Sequence, residues 1–149
     1  MSDAVAVAET TEIAFNDAVP GAVVGAWAED TDKAYLVAPD KLIDLLTYLR
    51  DQQGYDFLSN LTCTDYLTYN GKQRKGVNER FEVVYHLYNT KKGGGHINLH
   101  VRVPSNDTVA SATSVYPGAN LQEREVYDLY GIKFEGHPNL RRILLWEGF

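Results

Sequence analysis

The sequence predicts an α+β fold: a single domain in which a largely antiparallel mixed sheet packs with helices, and a helix-turn segment lies near the C-terminus. Several short segments are rich in β-branched and aromatic residues, which favour strands. One stretch repeats leucine with helical spacing, and the chain runs from strands to a helix, to more strands and to further helices. Because no repeat or long linker divides the chain, residues 13–149 are expected to form one domain behind a flexible acidic tail at residues 1–12.

The first half of this domain is predicted to be a β-hairpin followed by a helix. Residues 22–27 form a short apolar run, residues 29–32 an acidic turn and residues 34–37 a second strand. Pro39 suits the first turn of a helix, and Gly54 ends that helix. Between them, leucines recur at three- and four-residue spacing and indicate a core face rather than a ligand groove: Leu42, Leu45, Leu46 and Leu49.

Three further strands and a short helix are predicted in the middle of the chain. The strands cover residues 57–67, 80–88 and 97–103. Residues 91–95 form a loose loop that suits a hairpin between the last two strands. Pro104 ends the third strand, and Asp107 is expected to cap a short helix at residues 108–114.

The most specific part of the sequence runs from residue 121 to residue 145. Residues 121–130 have the pattern of a short helix, which Gly131 can end because glycine takes a left-handed conformation without a Cβ clash. Arg124 and Asp128 stand four residues apart and are expected to pair along one helix face. Beyond the helix, three apolar residues alternate with polar ones and a turn follows: Ile132, Phe134 and Leu140, with the turn at Gly136, His137 and Pro138.

Charged side chains are concentrated in the same segment: Glu123, Glu125 and Asp128 with Arg124, Arg141 and Arg142. Planar guanidinium groups suit carboxylates, so an ion-pair network that holds the helix against the turn is expected. The alternative is a small free-standing enzyme that uses Glu123, Asp128 and His137 for general acid-base catalysis. Such an enzyme would be a monomer with a polar cleft lined by these three side chains.

Composition and charge exclude several functions. The first 32 residues hold seven acidic residues and no lysine or arginine, and they account for the net charge of -6, so no basic stripe for nucleic-acid phosphates is present. No apolar run approaches the roughly 18–20 residues of a membrane-spanning helix, and the protein is expected in the cytoplasm. Cys63 is the only cysteine, which excludes a disulfide framework and an iron-sulfur cluster bound by this chain alone.

A metal site built from histidines is not expected. His96 and His100 share a face of one predicted strand, but at roughly 3.3 Å per residue they stand about 13 Å apart, too far to share an ion with His86. These imidazoles are expected to be solvated or to lie at an interface. The glycines at 93–95 lack the lysine and the helix start of a phosphate-binding loop, and nothing indicates a Ser-His-Asp triad.

The C-terminal segment resembles the signature of the C subunit of NADH-quinone oxidoreductase, respiratory complex I. The matching residues are Glu123, Arg124, Glu125, Asp128, Gly131, Ile132, Phe134, Gly136, His137, Pro138, Leu140, Arg141, Arg142, Ile143 and Leu144. A Ser-Val-aromatic-Pro-Gly-Ala element at residues 114–119 also fits, whereas before about residue 80 only the layout is similar. Leu121 stands where the family usually has tryptophan, so one aromatic contact is expected to be missing or replaced. Many members continue beyond the position of Phe149, so the contacts of that tail are expected to be absent, or the chain is a short form.

The resemblance implies a non-catalytic subunit of the peripheral arm, which supports electron transfer from NADH to quinone coupled to ion translocation. It implies that this chain binds no cofactor, while NADH, quinone, FMN and iron-sulfur clusters belong to the assembly. The implied partners are the quinone-site large subunit and the adjacent cluster-bearing subunit, on the cytoplasmic side of the cell membrane. The signature residues would act as scaffold and docking element. Related subunits occur in membrane-bound nickel-iron hydrogenases and in cyanobacterial or plastid NAD(P)H-quinone oxidoreductases, which remain alternatives.

Overall fold

The computed structural model describes residues 14–26, 33–67, 79–91, 95–146 and 148. The predicted tail at residues 1–12, the acidic turn at residues 29–32 and most of the loop at residues 91–95 lie outside the described residues. Within the described ranges, no helix combines the length and the apolar character that crossing a membrane requires.

The main sheet has five strands and is mixed, as the sequence predicts. The strands are β1 (Val23–Ala26), β2 (Ala34–Val37), β3 (Phe57–Asp65), β4 (Phe81–Tyr88) and β5 (His96–Arg102). Their order across the sheet is β1-β2-β5-β4-β3, in which β2 and β5 run parallel and the other neighbours antiparallel. The predicted antiparallel pairing of β1 with β2 and of β4 with β5 is therefore confirmed.

Helix α1 (Leu42–Gln52) supplies much of the hydrophobic core. A 3-10 turn at Pro39–Lys41 leads into it, with Pro39 at a position where a missing N–H costs little. Gly54 follows the helix with a φ of 77°, which lets the chain turn towards β3. The leucines predicted to face the core are each 0% exposed: Leu42, Leu45, Leu46 and Leu49.

The alternation predicted for β5 places one row of its side chains in the same core. Ile97, Leu99 and Val101 are each at most 2% exposed. On the opposite face, His100 is also buried, and its Nδ1 lies 2.6 Å from Oε1 of the buried Glu82. The expectation that His100 is solvated or lies at an interface is therefore wrong: the imidazole is buried within the chain, where a carboxylate on the neighbouring strand gives it a partner.

The helix predicted after Asp107 is a strand instead. Strand β6 (Thr108–Ala110) pairs in parallel with β7 (Lys133–Glu135) in a separate two-stranded sheet. Asp107 has a φ of 55°, and its carbonyl oxygen accepts the N–H of Lys133 at 2.9 Å. The prediction failed because the partner of β6 is distant in the sequence, and local patterns do not reveal such pairing.

Helix α2 (Ala119–Tyr130) confirms the predicted C-terminal helix and begins two residues earlier than expected. It packs against β3, where Oε1 of Gln122 accepts the N–H of Leu61. Just before α2, the carbonyl oxygen of Val115 accepts a hydrogen bond from Nη1 of Arg50, in α1, at 2.9 Å. These contacts fix α2 to the sheet and the segment before α2 to α1, so the remaining faces of α2 can hold the segment that follows it.

Candidate functional site

The chain after α2 makes the turns predicted from its glycines. Gly131 ends the helix with a φ of 76°, and its N–H closes the last helical turn at 2.9 Å. Gly136 has a φ of 87°, and the N–H of His137 donates to the carbonyl oxygen of Phe134 at 3.2 Å. Ile132 and Phe134 are at most 2% exposed. The turn segment is therefore anchored in the core.

Replacing Gly131 with alanine is expected to destabilise the domain by about 1 kcal/mol, because an L side chain is strained at a positive φ of 76° even where space is open. Gly118 is the matched control: its φ is -63° and an added Cβ would meet nothing within 4 Å, so Gly118→Ala should cost much less. Urea unfolding measures both variants. Equal midpoints would show that α2 does not need a left-handed residue at its end.

Asp128 holds residues 141–146, which we call the C-terminal strap, against α2. Its side chain is 0% exposed. Its Oδ2 accepts three backbone N–H groups of the strap: Ile143 at 3.2 Å, Leu144 at 2.7 Å and Leu145 at 2.7 Å. Burial opposes ionisation of Asp128, but these N–H groups and Arg142 outweigh it and hold its pKa below the usual range. One ionised oxygen thus satisfies three N–H groups of a segment that belongs to no sheet.

Arg124 binds the carbonyl groups of the same strap. Its Nε donates to the carbonyl oxygen of Arg141 at 3.0 Å, and its Nη2 donates to that of Arg142 at 3.1 Å. The predicted Arg124–Asp128 pair is therefore wrong, since each side chain reaches the backbone of the strap rather than the other. An irregular segment leaves backbone N–H and C=O groups without partners in a sheet. Hydrogen bonds between charged side chains and these groups stabilise the chain more than an exposed ion pair on the helix would.

The ion-pair network expected in this segment is reduced to one contact. Nε of Arg142 lies 3.7 Å from Oδ1 of Asp128, and within the described part of the chain no other arginine pairs with the three acidic residues of α2. Glu125 and Arg141 are exposed. Glu123 is 0% exposed and accepts hydrogen bonds from the connection between β6 and α2. Charged side chains hold this segment mainly through backbone groups.

His137 ties the turn to the start of α2. Its Nδ1 accepts the N–H of Asn139 at 2.9 Å, which assigns the proton of the neutral ring to Nε2. Nε2 then donates to the carbonyl oxygen of Asn120 at 3.0 Å. Pro138 is exposed, and Leu140 packs at the edge of the core. The turn is thus attached to the start of α2, and the strap to its middle and its C-terminal half.

Glu123, Asp128 and His137 do not form a common site. Five positions apart on α2, the two carboxylates project about 140° from each other at 3.6 residues per turn. All three groups are engaged in internal hydrogen bonds. A cleft of about 500 Å³ is lined by residues 79–81, 103–105 and Asp107, and by none of the three. The three side chains that the hypothesis of a free-standing acid-base enzyme requires in one cleft are therefore not together.

The three histidines considered for a metal have separate partners. Nδ1 of His86 lies 2.6 Å from Oδ1 of Asn98, and the ring of His96 stacks on Tyr88 with centroids 5.4 Å apart. His100 faces the carboxylate described above. Among the residues that the structure describes, no three His, Cys, Asp or Glu side chains are close enough to hold a metal ion.

The strap presents apolar side chains to solvent, which the sequence pattern does not reveal. The exposed residues are Leu129 in α2 (54%) and, in the strap, Ile143 (38%), Leu144 (57%) and Trp146 (69%). Leu121, at the position where the signature usually has tryptophan, is 55% exposed. The apolar run at residues 143–146 is visible in the sequence, but its outward direction depends on Asp128 and Arg124. Exposed apolar side chains on a fixed backbone are typical of protein-protein contacts.

The fold and the strap define a class of protein, an α+β domain that presents a prearranged apolar surface. The chain belongs to the family of the respiratory-chain NADH dehydrogenase 30 Kd subunit, whose family model matches residues 35–149. The resemblance identified from the signature is thus confirmed.

Similar proteins bear the corresponding name. The NADH-quinone oxidoreductase C subunit of Roseiflexus sp. (strain RS-1) is 41% identical over 137 residues, which cover 88% of this chain and 74% of that protein. The corresponding protein of Moorella thermoacetica is 41% identical over 123 residues, which cover 81% of this chain and 76% of that protein. The solved structure of Nqo5, as its trypsin-resistant fragment (1-134), shares 36% identity and a TM-score of 0.63 over 72% of this chain and 81% of that chain. The α+β fold is therefore shared with a solved relative.

Proposed function

We propose that this chain is a non-redox subunit of an NADH:quinone oxidoreductase of the complex I type and that the strap is its docking element. The observation that carries the proposal is family membership over residues 35–149, together with a signature whose charged side chains form hydrogen bonds with the backbone. Side chains used in this way hold a surface in place rather than act on a substrate.

The redox groups of such an enzyme would be bound by other subunits. Cys63 is the only cysteine of the chain, and burial raises the pKa of its thiol to about 12, so it remains protonated. An iron-sulfur cluster needs several thiolate ligands, which other chains would have to supply. NADH, FMN, the clusters and quinone are therefore proposed to belong to the assembly. This chain would support electron transfer and ion translocation without catalytic residues of its own.

The proposed partners are the quinone-site large subunit and the adjacent cluster-bearing subunit, on the cytoplasmic side of the membrane. Leu144 and Trp146 suit an apolar groove on a partner. Arg141, at the start of the strap, is also exposed and suits a carboxylate at the rim of that groove. Association with the membrane would come through these neighbours.

Affinity purification of the tagged full chain from its host, followed by mass spectrometry, tests the proposal. We expect the quinone-site and cluster-bearing subunits to be recovered together with it. A chain truncated before Leu121 should recover neither of them. A nickel-binding large subunit would instead assign the chain to a hydrogenase-type assembly. Recovery of the full chain alone as a monomer, or normal assembly of the truncated chain, would overturn the proposed docking.

A further inference from the structure

Glu123 is a buried carboxyl group that pairs with no cation among the described residues. It is 0% exposed, on the face of α2 towards the connection from β6. Oε1 accepts the N–H of Ala112 at 2.6 Å, and Oε2 lies 2.7 Å from Oγ of Ser111. In the described ranges, arginine and histidine side chains form ion pairs with other carboxylates and none with Glu123. A negative charge on Glu123 is therefore stabilised by neutral hydrogen-bond donors.

Tyr85 interacts with Glu123 from the sheet and adds no positive charge. In β4, Tyr85 is 0% exposed, and its hydroxyl lacks a hydrogen-bond partner in the described part of the chain. Cys63 in β3 lies close to Tyr85, and burial raises the pKa of both groups. Burial also raises the pKa of Glu123 to about 7, although the hydrogen bonds from Ser111 and Ala112 oppose the change. A proton is thus the simplest means of neutralising Glu123.

Two hydroxyl groups connect Glu123 with the surface. Oγ of Ser111 lies 2.8 Å from Oγ1 of Thr113, which is partly exposed. When Glu123 is ionised, Ser111 donates to the carboxylate and Thr113 donates to Ser111. When Glu123 is protonated, the carboxyl group donates to Ser111, whose own proton turns to Thr113. Both arrangements leave Ser111 able to accept the N–H of Thr113 at 3.2 Å.

We propose that Glu123 is a reversible proton-binding site of the folded domain and that Ser111 and Thr113 carry the proton between it and solvent. A proton from hydronium or buffer enters at Thr113, each hydroxyl passes one proton on, and the carboxylate becomes a carboxylic acid. No redox partner is needed. The proposal is independent of the docking proposal because every group belongs to this chain.

Through this group the domain should be more stable at acidic pH than at neutral pH. The folded-state pKa of Glu123 lies above its usual value of 4.5. Its contribution to the free energy of unfolding is therefore complete below pH 4.5 and is lost as the pH rises towards about 7. Relative to Glu123→Gln, the equilibrium constant for unfolding should rise over that range by on the order of a hundredfold. Glutamine can accept from Ala112 and donate to Ser111, so this variant should remain folded.

Carbon-13 NMR of the full chain tests the site directly. The carboxyl signal that disappears in Glu123→Gln should titrate in the wild type with a midpoint near 7. Glu125→Gln is the matched control, because its side chain is exposed on the same helix, and it should leave the pH dependence of stability unchanged. A midpoint near 4.5 for Glu123, or a pH dependence unaffected by Glu123→Gln, would overturn the proton-binding site.

The route is tested separately with Thr113→Val, which keeps the side-chain shape and removes the hydroxyl. After a rapid pH jump, infrared absorption of the protonated carboxyl group should appear more slowly in this variant than in the wild type. Urea unfolding confirms that the variant is folded. An unchanged rate would exclude Thr113 from the route.

Discussion

Replacing Asp128 with alanine should release the C-terminal strap from α2 while the main sheet remains folded. Oδ2 of Asp128 accepts three backbone N–H groups, and alanine leaves them without that acceptor. We expect amide hydrogen exchange at residues 143–145 to accelerate by at least about tenfold, since hydrogen bonds to a charged group are each worth roughly that factor. Exchange measured by NMR or mass spectrometry reports the effect residue by residue.

One further variant separates the role of the acceptor from that of the charge, and a second is the control. Asp128→Asn keeps an oxygen acceptor and removes the charge, so its exchange rates should lie between those of the wild type and the alanine variant. Glu125→Ala removes an exposed carboxylate from the same helix and should leave exchange at residues 143–145 unchanged. If Asp128→Ala also left these rates unchanged, another contact would have to hold the strap.

Removing the two most exposed apolar side chains of the strap should abolish assembly without destabilising the chain. Leu144 and Trp146 are 57% and 69% exposed, so Leu144→Ser combined with Trp146→Ala removes little of the core. If these side chains anchor a partner, their loss should weaken binding by about 30-fold or more. Purification of the tagged variant should then recover few or no partner subunits.

Val24→Ser is the matched control for this double variant. Val24 is 59% exposed and lies in β1, at the opposite edge of the main sheet from β3, against which α2 packs. This variant should retain the partners, and thermal unfolding should give similar midpoints for the wild type and both variants. Full recovery of partners with the double variant would show that docking uses another surface.

Most secondary structure could be predicted because it depends on near neighbours in the sequence. The leucine spacing of α1 and the alternation of β5 each identified a buried face. Gly131 marked the end of α2, where its φ of 76° suits glycine. The predicted helix at residues 108–114 failed where the structure depends on pairing between β6 and β7.

The sequence singles out the charged residues of the C-terminal segment but does not predict their contacts. The four-residue spacing predicts an Arg124–Asp128 pair, yet each side chain binds backbone groups of the strap. The sequence predicts that Glu123 pairs with an arginine, yet this side chain is buried beside Ser111. Sequence spacing shows which side chains share a helix face, but it does not show which distant backbone groups lack a partner.

The sequence alone determined the α+β class, the core faces, the position of the C-terminal helix and turn, and the resemblance to the complex I subunit family. Only the tertiary structure decided that the strap lies on α2 with its apolar side chains outward. It also decided that Glu123 is buried beside neutral hydrogen-bond donors and pairs with no cation among the described residues. Periodicity and glycine positions act through neighbouring residues, whereas the partner of each buried charge is set by segments that meet only after the chain has folded.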